Sequence, residues 1–231
     1  MQIHGFNKLT LLDYPGHLAA TIFLGGCNMR CPFCHNASLV TKLSTQPVIP
    51  TEEVLAILAK RKNILEGVCI TGGEPTLYSD LPDLIKEIKA LGLRVKLDTN
   101  GTNPSMLKSL TADKLIDYIA MDIKNSRENY SVTAGVQNLS LLPIEESVAF
   151  LLASSLDYEF RSTIVKEYHT MEDILSIGAW IKGAKAYYLQ SYKDSDDVIT
   201  PGLNSHSKET LSDFVRLLTP FINQVSLRGV D

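Results

Sequence analysis

Three cysteines lie close together in one short segment, Gly25 to Asn36, which we call the cysteine loop. Their spacing is C-x3-C-x2-C, formed by Cys27, Cys31 and Cys34. Thiolate is a soft ligand that selects zinc or iron–sulfur clusters. Structural zinc requires a closed tetrahedron of four ligands, whereas a cubane cluster held by three cysteines leaves one iron open. The spacing therefore favours an iron–sulfur cluster with an open iron.

Two other interpretations of these cysteines stay open. A disulfide set is not favoured, because the number of closely spaced cysteines is odd. His35 would complete a Cys3His zinc site in a binding protein without catalysis, but it abuts Cys34, and adjacent residues rarely both turn toward one ion. The fourth cysteine, Cys69, lies in an apolar run, where a free cysteine behaves as a small hydrophobic residue, so we do not count it as a ligand.

The run from Gly26 to Asn36, Gly-Cys-Asn-Met-Arg-Cys-Pro-Phe-Cys-His-Asn, resembles the cluster loop of radical S-adenosylmethionine (SAM) enzymes. Its Cys-His-Asn ending is most similar to the glycyl-radical-enzyme activases. Together with Leu12 to Gly16 (Leu-Asp-Tyr-Pro-Gly), it resembles the activating proteins of anaerobic ribonucleoside-triphosphate reductases. At greater distance it is similar to the pyruvate formate-lyase activases.

The resemblance implies two cofactors, a [4Fe-4S] cluster on the three cysteines and SAM. It implies that SAM is cleaved reductively to a 5′-deoxyadenosyl radical, which abstracts a glycine hydrogen from a partner glycyl radical enzyme. That partner is expected to be anaerobic ribonucleotide reductase, with flavodoxin or ferredoxin as electron donor. The alternative is a radical SAM enzyme acting on a small molecule, similar to 7-carboxy-7-deazaguanine synthase.

Composition agrees with a globular protein of this kind. The chain has 231 residues, of which 45% are hydrophobic and 21% charged, with a formal net charge of −4. This charge argues against a general nucleic-acid or anionic-membrane binder. We see no signal peptide and no apolar stretch approaching the ~18 residues of a spanning helix. Cysteines used as ligands suit a reducing compartment, so a cytoplasmic location is expected.

Apolar runs alternate with helical patterns along the whole chain. Strands are predicted at 18–24, 67–71, 93–99, 118–124, 157–165 and 186–190, with a terminal extended segment at 221–227. Helices are predicted at 51–58, 81–91, 104–110, 143–155, 171–181 and 207–218. Such alternation indicates an α/β fold with a parallel sheet, either open and doubly wound or barrel-like. The polar segments 126–140 and 192–205 are candidate mobile or partner-facing loops.

Unusual polar residues follow strand after strand at the carboxyl end, where the ends of a barrel's strands converge on one mouth. This placement favours a barrel. The resemblance implies a partial (β/α)6 TIM-like barrel of the radical SAM type. We expect a single domain over residues 1–231.

The second predicted strand ends in Gly72, Gly73 and Glu74, followed by a proline. Glycines without Cβ let backbone groups approach a ligand closely. In the resembled family this motif holds the amino group of SAM. Alternatively, Glu74 caps the segment that follows.

Acidic residues end the next two strands. Asp98 lies where the third strand ends and Asn100 follows it, and an Asx turn is the alternative interpretation. Asp122 and Lys124 share one face by the period of two, and buried opposite charges must pair or meet a charged ligand. The resemblance implies that the Asp-x-Lys pair binds SAM. Asp98 and Asp122 together also suggest a monovalent cation site.

Other polar or aromatic side chains extend the predicted cofactor site. Phe33 is expected to shield the cluster or to lie near adenine, and His35 to donate a hydrogen bond to cluster sulfur or to neighbouring backbone. Arg161 is expected to offset carboxylates inside the predicted barrel. His169 resembles in position an activase histidine that contacts SAM, although a loop histidine is often merely solvated. The predicted cofactor-binding set is Phe33, His35, Gly72, Gly73, Glu74, Asp98, Asn100, Asp122, Lys124, Arg161 and His169.

Overall fold

The computed structural model describes residues 1–230, and in this part of the chain it has eight strands. They are Ile3–Thr10 (β1), Ala19–Leu24 (β2), Gly67–Gly72 (β3), Arg94–Thr99 (β4), Tyr118–Asp122 (β5), Asp157–Ile164 (β6), Tyr187–Ser191 (β7) and Val225–Arg228 (β8). Strands β1 to β4 are neighbours in chain order, and so are strands β6 to β8. β1 pairs antiparallel with β2, whereas the pairs β2–β3, β3–β4, β6–β7 and β7–β8 are parallel.

Helices connect the successive strands from β2 onward. They are Ala37–Thr41 (α1), Thr51–Arg61 (α2), Leu81–Ala90 (α3), Pro104–Ala112 (α4), Tyr130–Ala134 (α5), Leu142–Ala153 (α6), Met171–Trp180 (α7) and Lys208–Leu218 (α8). Parallel strands need crossover connections of this kind, which place helices on the sheet faces. The predicted α/β class and its succession of strand–helix units are confirmed.

The register of β2 and β3 explains how two sequence motifs come to the same sheet edge. The two strands pair in phase from Ala19 opposite Gly67 to Leu24 opposite Gly72. Their central residues are buried, as expected for parallel strands covered on both faces. Because both strands end at the same level, the cysteine loop and the glycine motif begin side by side.

The structure differs from the sequence-based prediction at β1. The sequence of this strand, Ile-His-Gly-Phe-Asn-Lys-Leu-Thr, has no continuous apolar run, and Asn7 to Leu9 are exposed. It is instead fixed by antiparallel pairing with β2, in which Gly5 lies opposite Phe23. Strand β1 was therefore missed because a tertiary contact, rather than its own pattern, determines it.

The two polar segments expected to be irregular behave differently. Segment 126–140 contains α5, in which Tyr130, Thr133 and Ala134 are buried, so the prediction of a loop was wrong there. Segment 192–205 has neither helix nor strand among its residues, in agreement with the prediction, although Tyr192 is buried.

The described chain divides into two compact units. The first unit comprises Met1–Asn28 and Ser38–Ala120, and the second comprises Met29–Ala37 and the chain from Met121 onward. Residues 29–37, which include Cys31 and Cys34, are thus grouped with the second half of the chain rather than with their sequence neighbours. A single domain over residues 1–231 stays a prediction.

Candidate active site

The turn after β3 lies directly on the backbone that leads into the cysteine loop. The Gly73 amide donates to the Leu24 carbonyl and the Glu74 amide to the Gly26 carbonyl, each at 2.8 Å. A Cβ on Gly73 would lie 1.9 Å from the Gly26 oxygen, and Gly72 has a φ of +113°. Neither position accepts a side chain without displacing this contact.

Glu74 joins the ends of β3 and β4. Its buried carboxylate accepts hydrogen bonds from the backbone N–H and hydroxyl of Thr76, the Thr99 hydroxyl (2.8 Å) and the Asn100 amide (2.6 Å). Burial raises the pKa of Glu74, and these hydrogen bonds oppose the increase. The bond from the Thr76 amide caps the short 3-10 helix Pro75–Leu77. The alternative interpretation, that Glu74 caps the next segment, is confirmed.

Asn100 lies beside the first predicted cluster ligand. Its side-chain N–H donates to the Cys27 thiol sulfur (3.8 Å) and to the Asn28 side-chain oxygen (2.8 Å). Its own side-chain oxygen accepts from the Thr102 amide at 3.1 Å, which forms an Asx turn. Asn100 thus orients the start of the cysteine loop from the end of β4.

Strand β4 also carries a buried ion pair that the sequence analysis missed. Lys96 is 1% exposed, and its ammonium group contacts the Asp98 carboxylate and lies 3.6 Å from the Cys69 sulfur. The available signal was the Lys-x-Asp spacing, which places both side chains on one face, as in the Asp122 and Lys124 pair. Cys69 is fully buried in β3, as expected for a cysteine that packs in the interior.

In the second unit, Asp122 at the end of β5 binds two cationic side chains. Its carboxylate lies 2.9 Å from the Lys124 ammonium nitrogen and 3.0 Å from a guanidinium nitrogen of Arg161 on β6. Burial works to raise the pKa of Asp122, but the charges of Lys124 and Arg161 outweigh it and hold the pKa at about 2. Burial works to lower the pKa of Lys124, and the Asp122 charge raises it above its usual value. All three groups are therefore ionised at neutral pH.

This charged group lies beside two of the predicted cluster ligands. Burial raises the pKa of the Cys34 thiol, while the Asn36 amide and the charge of Lys124 act in the opposite direction. The charge of Cys31 as thiolate in turn stabilises protonated Lys124. The second unit thus brings the predicted Asp-x-Lys motif together with Cys31 and Cys34.

His169 is fully buried and holds the backbone of Lys124. Its Nε2 donates to the Lys124 carbonyl at 2.9 Å, and its Nδ1 accepts from the Val165 amide at 3.1 Å. Burial lowers the pKa of His169, which keeps the ring neutral. The ring also packs edge-on against buried Phe33, with 6.3 Å between centroids. His169 is therefore not a solvated loop residue, and the structure favours a positioning role over direct contact with SAM.

The side chain of His35 contacts a different part of the chain. Its Nε2 donates to the Lys193 carbonyl at 2.7 Å, and its ring stacks on Tyr192 with 5.5 Å between centroids. The His35 side chain thus donates to a backbone carbonyl far away in the sequence, and a hydrogen bond from His35 to cluster sulfur stays a prediction.

The monovalent cation site stays a prediction that this arrangement does not favour. The Asp98 carboxylate contacts the ammonium group of Lys96. The Asp122 carboxylate contacts both Lys124 and Arg161. Each carboxylate is therefore already neutralised by protein groups.

The donor set fits an iron–sulfur cluster. Within residues 1–230 no disulfide joins any of the cysteines, so Cys27, Cys31 and Cys34 all retain thiol sulfur for ligation. In the same part of the chain, no three His, Cys, Asp or Glu side chains are grouped as a ready-made metal site. The assignment of the three ligands therefore depends on their spacing and on thiolate chemistry.

Comparison with known proteins identifies the family. Residues 21–140 match the Radical SAM superfamily. The chain belongs to this superfamily. Radical SAM enzymes use a [4Fe-4S] cluster and SAM, so the predicted cofactors and the prediction of an enzyme are confirmed.

Three relatives are each 30% identical to this radical SAM enzyme over the aligned residues. A Methanocaldococcus jannaschii protein, provisionally named a glycyl-radical enzyme activating enzyme, is 30% identical over 99% of this chain and 96% of its own length. A pyruvate formate-lyase-activating enzyme of Clostridium pasteurianum is 30% identical over 54% of this chain and 52% of its own. A 7-carboxy-7-deazaguanine synthase of Thermoplasma acidophilum is 30% identical over 62% of this chain and 64% of its own length.

Solved structures support the fold. The crystal structure of Streptococcus suis SuiB bound to S-adenosylmethionine matches this radical SAM enzyme with a TM-score of 0.70 and 15% identity, covering 90% of this chain. This chain spans about half of SuiB, 52% of its length, and the likeness concerns the fold alone. Among the helices described for residues 1–230, none has the length and apolar character needed to span a membrane.

The Asp122 ion pairs predict a specific pH dependence. Since the folded-state pKa of about 2 lies below the usual 3.8, the stabilisation is complete above about pH 4 and is lost as pH falls toward 2. Asp122→Asn should lower the free energy of unfolding near neutral pH. In acid, the difference in this free energy between the variant and wild type should disappear. Urea unfolding of the reduced apoproteins at several pH values measures this. A gap that stays constant down to about pH 2 would contradict the assigned ion pairs.

Proposed function

We propose that this radical SAM enzyme activates a glycyl radical enzyme by abstracting hydrogen from a glycine of that partner protein. The observation that carries the proposal is the 30% identity to a provisionally named activating enzyme along nearly the whole of both chains. The segment Leu12 to Gly16 and the Cys-His-Asn ending favour anaerobic ribonucleoside-triphosphate reductase as the partner. Flavodoxin or ferredoxin supplies the electron, in the cytoplasm.

Cys27, Cys31 and Cys34 are the proposed ligands of the cluster. When bound, the cluster supplies the electron that cleaves SAM reductively to methionine and a 5′-deoxyadenosyl radical. The protein positions the cluster and SAM and keeps water away from them. Phe33, which is 4% exposed next to Cys34, provides apolar cover on this side of the loop.

The charged group formed by Asp122 at the end of β5, Lys124 just beyond it and Arg161 on β6 is the proposed site for the amino-acid end of SAM. That end carries one positive and one negative charge, and the group offers both signs from Asp122, Lys124 and Arg161. Because two cations face one carboxylate, the group has an excess positive charge that suits the SAM carboxylate. Backbone groups of Gly72 and Gly73 are the proposed partners of the SAM ammonium group.

Substitution of His169 distinguishes a residue that positions the Lys124 backbone from one that contacts SAM directly. In His169→Ala the Lys124 carbonyl loses its donor, which should cost about 1–3 kcal/mol of stability. SAM affinity should fall less than in Lys124→Ala, and the iron content should match wild type. Chemical denaturation and anaerobic SAM titration measure both quantities. A larger loss of SAM affinity than in Lys124→Ala, without loss of stability, would instead indicate direct contact with SAM.

The proposal is tested with anaerobically reconstituted, chemically reduced protein. SAM is added with anaerobic ribonucleotide reductase, with pyruvate formate-lyase, or alone. We expect 5′-deoxyadenosine together with a glycyl radical signal in electron paramagnetic resonance (EPR) spectra of the reductase, and neither with Cys31→Ala. A glycyl radical on pyruvate formate-lyase, and none on the reductase, would indicate that the lyase is the partner. Nucleoside release without a radical on either protein would contradict activation of these enzymes.

A second candidate function is synthesis of a small molecule. It is favoured by the match to the Thermoplasma acidophilum 7-carboxy-7-deazaguanine synthase, which covers 62% of this chain. The same reduced protein can be assayed for formation of 7-carboxy-7-deazaguanine. Product formation at a rate above that of glycyl radical formation would favour this alternative.

A further inference from the structure

Helix α5 holds the first half of the cysteine loop. The Arg30 amide, between Cys27 and Cys31, donates to the Ala134 carbonyl at the end of α5 with a distance of 2.9 Å. The next residue, Gly135, has a φ of +65°, and a Cβ there would lie 2.0 Å from the Arg30 oxygen. The helix end and the loop backbone therefore fit together so closely that only glycine is accommodated.

A second segment, residues 192–202, holds the other half, and we call it the strap. The Thr200 amide donates to the Pro32 carbonyl at 2.8 Å, and the Ala37 amide donates to the Asp197 carbonyl at 3.4 Å. Between these points His35 donates to the strap carbonyl of Lys193. The strap thus contacts the loop at Pro32, before Cys34, and at His35, after it, and also contacts Ala37 just beyond the loop.

The carboxylate of Asp194 stabilises the strap. Asp194 accepts from the Tyr192 hydroxyl at 2.8 Å and from the Gly202 amide at 3.1 Å, which ties together the two ends of the strap. Tyr192 is 2% exposed and carries the stacked His35 ring. An irregular segment held in this way has a defined shape without helix or strand hydrogen bonds.

We propose that α5 and the strap form a clamp that positions Cys31 and Cys34 before the cluster binds. Three of these contacts join backbone atoms and the fourth is made by the His35 ring, so all of them form between protein groups without a metal. A loop already fixed in place loses less conformational entropy when it becomes a ligand, which strengthens binding. The clamp rests on the proposed ligand assignment, and it gives a role to the two polar segments that the activity itself leaves unexplained.

The test compares Thr200→Pro, which deletes the donor to Pro32, with Ser195→Ala, an exposed control on the same strap. His35→Ala is the second clamp variant, because an exposed side chain can be removed without loss of folding. Hydrogen exchange of residues 31–37 is measured in the apoproteins. Iron release to a chelator and the EPR spectrum of the reduced cluster are measured in the reconstituted proteins.

We expect at least about fivefold faster exchange of residues 31–37 and a comparable increase in iron release in the clamp variants, with the control unchanged. Unchanged exchange in both clamp variants would overturn the clamp. Faster exchange throughout the chain, or faster local exchange with normal iron release, would also overturn it. Failure of the ligand assignment is distinguishable, because Cys31→Ala would then retain iron whatever the exchange results.

Discussion

Replacing Cys31 with alanine should abolish assembly of the cluster, and Cys69→Ala should leave the iron content unchanged. The three proposed ligands each supply one thiolate, and two thiolates do not hold a cubane that already has an open iron. Cys31 is buried in the clamped loop near Lys124, whereas Cys69 is buried in β3 between Lys96 and Asp98. Iron and sulfide per chain after anaerobic reconstitution measure the difference.

Cys69 is fully buried, so the control variant is expected to be less stable than wild type. Cys69→Ala leaves a small cavity and removes a polar contact of Lys96, and we expect its free energy of unfolding to fall by about 1 kcal/mol. Iron is therefore expressed per folded chain, and Cys69→Ser, which retains a polar atom, serves as a second control. About four irons per chain in wild type and both Cys69 variants, and less than one in Cys31→Ala, is the expected pattern. Loss of iron in both Cys69 variants would overturn the ligand assignment.

The parts of the site that could be predicted follow from local rules. Asp122 and Lys124 are two residues apart, and the strand period predicted that they share one face. The structure shows them paired, although β5 ends at Asp122 and Lys124 lies just beyond it. The in-phase ends of β2 and β3 similarly follow from parallel pairing of two buried strands. Spacing and strand period are therefore sufficient for the strands with continuous apolar runs and for contacts between residues close in the chain.

The remaining parts depend on contacts between residues far apart in the chain. No local signal indicates that the ring of His169 holds the Lys124 carbonyl, or that α5 fits against Arg30. Strand β1 is likewise fixed by its neighbour rather than by its own residues. Burial of a polar residue is a tertiary property, which explains why His169 was open to interpretation as a solvated residue.

Lys124→Ala should retain the cluster and weaken SAM binding about 10- to 100-fold. A hydrogen bond to a charged group contributes about 1.5–3 kcal/mol, which corresponds to this range in Kd. The fold should survive the change, because Arg161 continues to neutralise Asp122 through its own ion pair at 3.0 Å. Removal of one partner usually leaves a buried charge uncompensated, and here the second cation prevents this.

The measurement is anaerobic titration of SAM into the reconstituted variants. Lys182→Ala, which removes an exposed lysine from the same compact unit, is the matched control and should bind SAM as wild type does. Lys124 also lies near Cys31 and Cys34, so a weaker cluster is the competing explanation for reduced SAM binding. Iron content equal to wild type together with reduced SAM affinity assigns the effect to SAM itself. Unchanged affinity would remove Lys124 from the site, and the excess positive charge beside Asp122 would then need another ligand.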